Sequence, residues 1–141
     1  MVNADLVTAK LAELVDRVAR VRAHCPATAQ ELAADRDALD LVSFNLMLAV
    51  QVCADVAAHL VSDHGWPVAR NLAEGFDRLV QHGVVSSETG ERLKRAVGLR
   101  NVVAHGYARI NVPMVHAAGT TGVEDLEAFA AEVARHVAAA G

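Results

Sequence analysis

Residues 35 to 62 place the tightest limit on what this chain can become. The run is apolar nearly all round, so a helix built from it has no broad face to show to water and must be wrapped by other elements. One polar row interrupts it: Gln51, Asp55 and His59, each four residues apart. Such a row is either a satisfied buried hydrogen-bond network or the wall of a cleft. Asn45 adds a further polar break, so the most apolar part, Phe44 to Val61, reads as a core helix rather than a membrane span.

The flanking segments supply what such a helix needs. Residues 4 to 24 carry Val7, Leu11, Leu14, Val18 and Val21 at alternating spacings of four and three, a heptad-like apolar stripe. Cys25-Pro26 ends that helix, because the residue before proline avoids the helical region. Thr28 with Glu31 has capping-box spacing and starts a short helical piece. After the central helix, His64-Gly65 is a stop. Pro67 fits the first position of a third helix running from about 68 to 81, with Leu72, Phe76 and Leu79 inward. His82-Gly83 stops that helix, and Ser86 or Ser87 caps the fourth, which carries Glu88 and Glu91 near its start. Residues 108 to 122 are the least regular, with a helical turn at 112 to 117. A last helix spans about 123 to 138, with Leu126, Phe129, Val133 and Val137 inward.

At 141 residues, this describes one domain over 1 to 141. The chain is 53% hydrophobic and 21% charged, which excludes disorder. Its single Trp and single Tyr among many Ala, Val and Leu favour helices over sheets. The fold class is therefore all-α, an up-down bundle of four to five main helices. A net charge of -4 excludes the broad basic surface of a duplex-coating protein, so any nucleic-acid contact is a local patch. Cys25 and Cys53 have no metal-ligand spacing and read as reduced, buried or partly buried thiols. No pair of histidines forms a metal motif, and no metal or cofactor is expected. No signal-peptide core fits the N-terminus, and the expectation is a cytoplasmic protein that does not meet a membrane.

The chemistry concentrates in Arg100-Asn101-Val102-Val103-Ala104-His105-Gly106-Tyr107. Leu93, Val97, Arg100 and Ala104 share one helix face, which puts an arginine on an apolar stripe. An arginine there needs a partner, a wet cleft or a task. The bare pattern of Arg followed at short range by His occurs three times, from Arg17 to His24, Arg100 to His105 and Arg109 to His116. Only the middle copy has a polar residue directly after the Arg and a Tyr two after the His. Arg100 and His105 are five apart, so on a continuous helix they point about 140° apart. They meet at one substrate only if the helix ends near His105 or if a second copy of the stretch comes close. Gly106 is placed as the left-handed residue after the helix, and Gly98 in mid-helix suggests close approach by another backbone. Spacing leaves two readings of Arg100 open: a structural pair with Asp55, or a site in which Asp55 holds Arg100 or His105.

GLRNVVAHGY at 98 to 107, together with AVQVCADVAAHL at 49 to 60, resembles the HEPN superfamily, and within it the HepT-like toxins of the MNT/HepT toxin–antitoxin type. The resemblance covers most of the chain. Gln51 stands where that family often has an acid, and Gly106 where it often has Glu. The resemblance implies a helical bundle that dimerises with two Arg/His stretches facing one cleft. It implies metal-independent endoribonuclease activity with Arg100, His105 and Asn101 as catalytic residues and Asp55 and His59 supporting them. The implied partners are RNA, a second copy, and a nucleotidyltransferase antitoxin that transfers AMP to Tyr107. The alternative is a helical module that binds a nucleotide or protein and cuts nothing. A basic pocket shared by two subunits favours the nuclease, and Arg100 fully paired to Asp55 with no opening favours the module.

Overall fold

The computed structural model describes residues 2–140, and these contain helices and no strand. Five long helices make the bundle: α1 (Ala4–His24), α3 (Arg36–His64), α4 (Leu72–Gln81), α5 (Ser87–His105) and α7 (Val123–Ala140). Two six-residue helices, α2 (Ala29–Ala34) and α6 (Val112–Ala117), lie in the connections.

The apolar run forms α3, and α1, α4, α5 and α7 all pack on it. Along it Val42, Leu46, Ala49, Val50, Cys53, Val56, Ala57 and Leu60 are buried. By length and composition α3 is apolar enough to cross a bilayer, but here other helices cover it. Gly65, left-handed at φ 69°, closes it and gives its N–H to the Ser62 carbonyl. The α1 stripe packs as spaced, with Val7, Leu14, Val18 and Val21 buried and Leu11 at the margin. Thr28 caps α2, and its hydroxyl also donates to Glu31 at 2.9 Å.

Pro67 is not the first residue of the next helix. That helix, α4, starts at Leu72, where the Asn71 side chain accepts the Glu74 N–H. A side-chain cap satisfies an end donor that proline can only leave out. The segment before Asn71 therefore runs outside the helix, and the Pro67 carbonyl accepts from Arg78 Nε at 3.1 Å.

Two anchors fix α5. At its start Ser86 caps Thr89, while Glu132 of α7 accepts from both the Ser86 N–H and the Thr89 hydroxyl. Along its length Leu93, Val97 and Leu99 are buried. Between α6 and α7 a π-helical turn, Ala118–Gly122, keeps the chain helical where a looser link was expected. Gly119 lets this turn close onto α1, since a Cβ there would stand 2.9 Å from Cys25 Sγ.

Candidate functional site

The C-terminal half of α5 emerges from the core as it goes. Leu93 and Val97 are buried, Arg100 is half-buried, and Asn101, Ala104 and His105 are exposed. Ala104 therefore does not extend the buried stripe, although Val103 beside it packs on the core. The expected close approach at Gly98 is missing among the described residues. A Cβ at Gly98 would meet nothing within 4 Å.

Arg100 reaches back to α3, but to Gln51 rather than to Asp55. Its Nε and Nη2 donate to Gln51 Oε1 at 3.2 and 2.9 Å. Gln51 in turn donates from Nε2 to Asp55 Oδ1 at 3.0 Å. Asp55 Oδ2 lies 3.8 Å from Lys10 Nζ of α1. The polar row is thus a relay, and Gln51 stands between the two charges. A carbonyl oxygen holds the guanidinium without neutralising it, as Asp55 would have done. His59 is half-buried one turn further along α3.

Asn101 accepts from Arg100 Nη1 at 3.0 Å, so it steadies the arginine rather than His105. Arg100 and Asn101 line a cleft of about 890 Å³ whose other walls include Ala54, Ala58, Val61, Trp66 and Leu72. His105 is not among the residues lining it, as its divergence from Arg100 around the helix requires. Within one chain, then, the two side chains do not face a common point.

The helix does end at His105. Gly106 is not left-handed, with φ −143° and ψ 38°. The chain goes on into a 3-10 turn, Tyr107–Arg109, in which the Arg109 N–H bonds the Gly106 carbonyl at 2.9 Å, so no reversal is needed. The Tyr107 hydroxyl donates to Asp40 Oδ1 of α3. Arg36 Nε donates to that same oxygen at 3.2 Å. The bond from Tyr107, helped by Arg36, holds the Asp40 carboxyl below the usual range. Burial, reinforced by the Asp40 charge, pushes the Tyr107 phenol up. Neither Asp40 nor Arg36 was anticipated, since only the fold brings residues 67 apart in the chain together.

A second cluster was also missed. Trp66 is stacked between His64 and His82, with ring centroids 4.3 and 3.9 Å away. His64 Nε2 and His136 Nε2 are 3.1 Å apart, joining α3 to α7. Arg92 is tied to Glu88 and Asp125, and Lys94 to Asp77 and Glu91, so neither lends a free charge to the site.

A family model described as ribonuclease HepT-like matches residues 14–133. A protein of Shewanella oneidensis, named mRNA nuclease HepT, is 25% identical over 125 residues, which is 89% of this chain and 93% of that protein. Among solved structures, a tri-AMPylated Shewanella oneidensis HEPN toxin in complex with its MNT antitoxin has a TM-score of 0.84 at 23% identity, covering 94% of this chain and 98% of that one. A toxin–antitoxin with AMP-PNP has a TM-score of 0.85 at 23% identity, covering 92% and 97%. These structural likenesses speak to the fold.

Proposed function

This chain belongs to the HepT-like ribonuclease family, and from that premise we propose that it is the toxin of a toxin–antitoxin pair. It acts in the cytoplasm as a single-domain, metal-independent endoribonuclease. The observation that carries the reading is the contact of Gln51 with Arg100, an arginine that lines the cleft. An arginine fixed by an uncharged acceptor is positioned and still fully cationic. That is what a group stabilising charge on a phosphate in the transition state requires.

The reaction uses the RNA's own 2′-hydroxyl as nucleophile. His105 moves the proton, as general base or acid, a role worth ~10²–10⁴-fold in rate. Arg100 binds the pentacoordinate phosphate, and Asn101 keeps the guanidinium in place. Asp55 and His59 support the cleft from α3. Since Arg100 and His105 diverge in one chain, the working site is formed by two. An isologous pair about the open face of α5 brings Arg100 of one subunit to His105 of the other. Gly98, Asn101, Ala104 and His105 are the exposed residues available for that contact.

Activity is silenced by transfer of AMP to Tyr107 from a nucleotidyltransferase antitoxin. The added phosphodiester brings charge and acceptor oxygens beside the RNA path. The alternative, a module that binds without cutting, is weakened by the open cleft and by the absence of an Arg100–Asp55 pair.

RNA cleavage in EDTA by wild type, Arg100→Ala and His105→Ala tests the chemistry. Activity in wild type alone is expected; full activity in His105→Ala, or strict dependence on Mg²⁺, rules it out. Mixing the two inactive variants tests the shared site. Random pairing makes half the dimers mixed, each with one intact composite site, so about a quarter of wild-type activity returns. No recovery, or a species that stays monomeric in sedimentation, refutes the two-chain site.

A further inference from the structure

The Tyr107 hydroxyl does not wait free in solvent; a carboxylate from another helix already holds its proton. We propose that Asp40 is the proton acceptor that activates Tyr107 for nucleotidyl transfer, a reading that rests on Tyr107 being the modified residue.

Three observations carry it. The hydroxyl donates directly to Asp40 Oδ1, so the proton lies on the line along which it would leave. Arg36 Nε bonds the same oxygen at 3.2 Å and helps to fix the carboxylate. The Asp40 side chain keeps about half its surface in solvent, at 51%, so a proton it receives passes on to water. The bond and the nearby cation keep Asp40 ionised at neutral pH, as a base must be.

The step balances. The Tyr107 oxygen attacks the α-phosphorus of a nucleoside triphosphate, the bond from that phosphorus to the β-phosphate oxygen breaks, and pyrophosphate leaves. The phenolic proton goes to Asp40. Before attack a carboxylate is too weak a base to take a proton from a phenol to any extent, and burial of Tyr107 makes spontaneous ionisation rarer still. As the oxygen bonds phosphorus its proton becomes strongly acidic, and transfer to Asp40 turns favourable. Without Asp40, attack must wait for the small fraction of phenolate that solution supplies.

Asp40→Asn keeps the shape and a hydrogen-bond acceptor but removes the base. Two reactions read it. One is AMP transfer from ATP by an MNT-type nucleotidyltransferase antitoxin, followed by intact mass. The other needs no partner: acetylation by N-acetylimidazole, scored as hydroxylamine-reversible ester on the chain's one tyrosine. In both, Asp40→Asn is expected to react at neutral pH on the order of 10²-fold slower than wild type. The variant's rate should climb about tenfold per pH unit towards tyrosine ionisation, while wild type stays flat; Asp40→Glu should recover part of the loss. An Asp40→Asn rate equal to or above wild type in either reaction overturns the proposal, the faster outcome meaning that Asp40 restrains Tyr107. If wild type takes no AMP yet loses acetylation rate on Asp40→Asn, Asp40 stands as the base and the assignment of Tyr107 as the AMP acceptor falls.

Discussion

Replacing Gln51 by Leu removes the acceptor that ties Arg100 to α3 and leaves the arginine held by Asn101 alone. Two guanidinium N–H groups lose their partner, at 3.2 and 2.9 Å. They share a single oxygen, so the loss is not a sum of two. A hydrogen bond to a charged group is worth ~1.5–3 kcal/mol, and with both residues half-buried the low end applies, about 1.5–2 kcal/mol. In the RNA complex this loss appears as the cost of arresting the freed Arg100 side chain again, up to ~2 kcal/mol, and is not an addition to it. At ~1.4 kcal/mol per factor of ten, RNA cleavage should fall roughly tenfold to thirtyfold in kcat/KM. The assay is a double-mutant cycle with Arg100→Lys, which keeps the charge and loses the planar fork. If Gln51 acts through Arg100, Gln51→Leu adds little once Arg100 is Lys. An undiminished effect in the Lys background would show that Gln51 matters for some other reason, such as its bond to Asp55. An unchanged rate in the single variant would refute the orienting role altogether.

Other consequences are cheaper to check. Gly90→Ala should lower the melting temperature, a loss of about 1–3 kcal/mol from overpacking, because the new Cβ would stand 2.3 Å from Val80 Cγ2. In an open helix the same change would stabilise by ~1 kcal/mol, so the sign is the test. A disulfide reagent should label Cys25 slowly and Cys53 only after unfolding, since burial pushes both thiols up and Cys53 is fully buried. Burial, with the neighbouring His64, pushes His136 below the ordinary histidine value of 6.5. The unfolded chain then binds the extra proton more readily. Stability is therefore full above about 6.5 and declines as pH falls towards the lower folded value, which chemical denaturation followed by Trp66 fluorescence will show. A flat or rising stability over that window would contradict the burial of His136 beside His64.

Periodicity carried most of the fold. The α1 stripe, the all-round apolar α3 and the caps at Thr28 and Ser86 depend on contacts within a few residues, and such contacts are written in the local sequence. The helix start expected at Pro67 lies instead at Asn71, the residue able to accept an end N–H. The π-helical turn at 118–122 left no trace in residue type, because Gly and Thr there suggest a loop as strongly as a turn.

The candidate site was legible in its members and illegible in its pairings. Arg100 could be singled out because a charge on an apolar stripe is a local contradiction, yet whether Gln51 or Asp55 answered it depended on which turn of α3 lies opposite α5. Those two residues are one helical turn apart, below what an apolar pattern can register. Asp40 illustrates the limit more sharply. Alone it is an exposed carboxylate beside Arg36, one i,i+4 ion pair among several on the surface. It acquires a second role only because the turn after His105 sets Tyr107 across its oxygen. Divergence of Arg100 and His105 went the other way. It follows from the helical period alone, and in the folded chain the exposed end of α5 leaves it uncorrected, which is the reason a second subunit enters the reading at all.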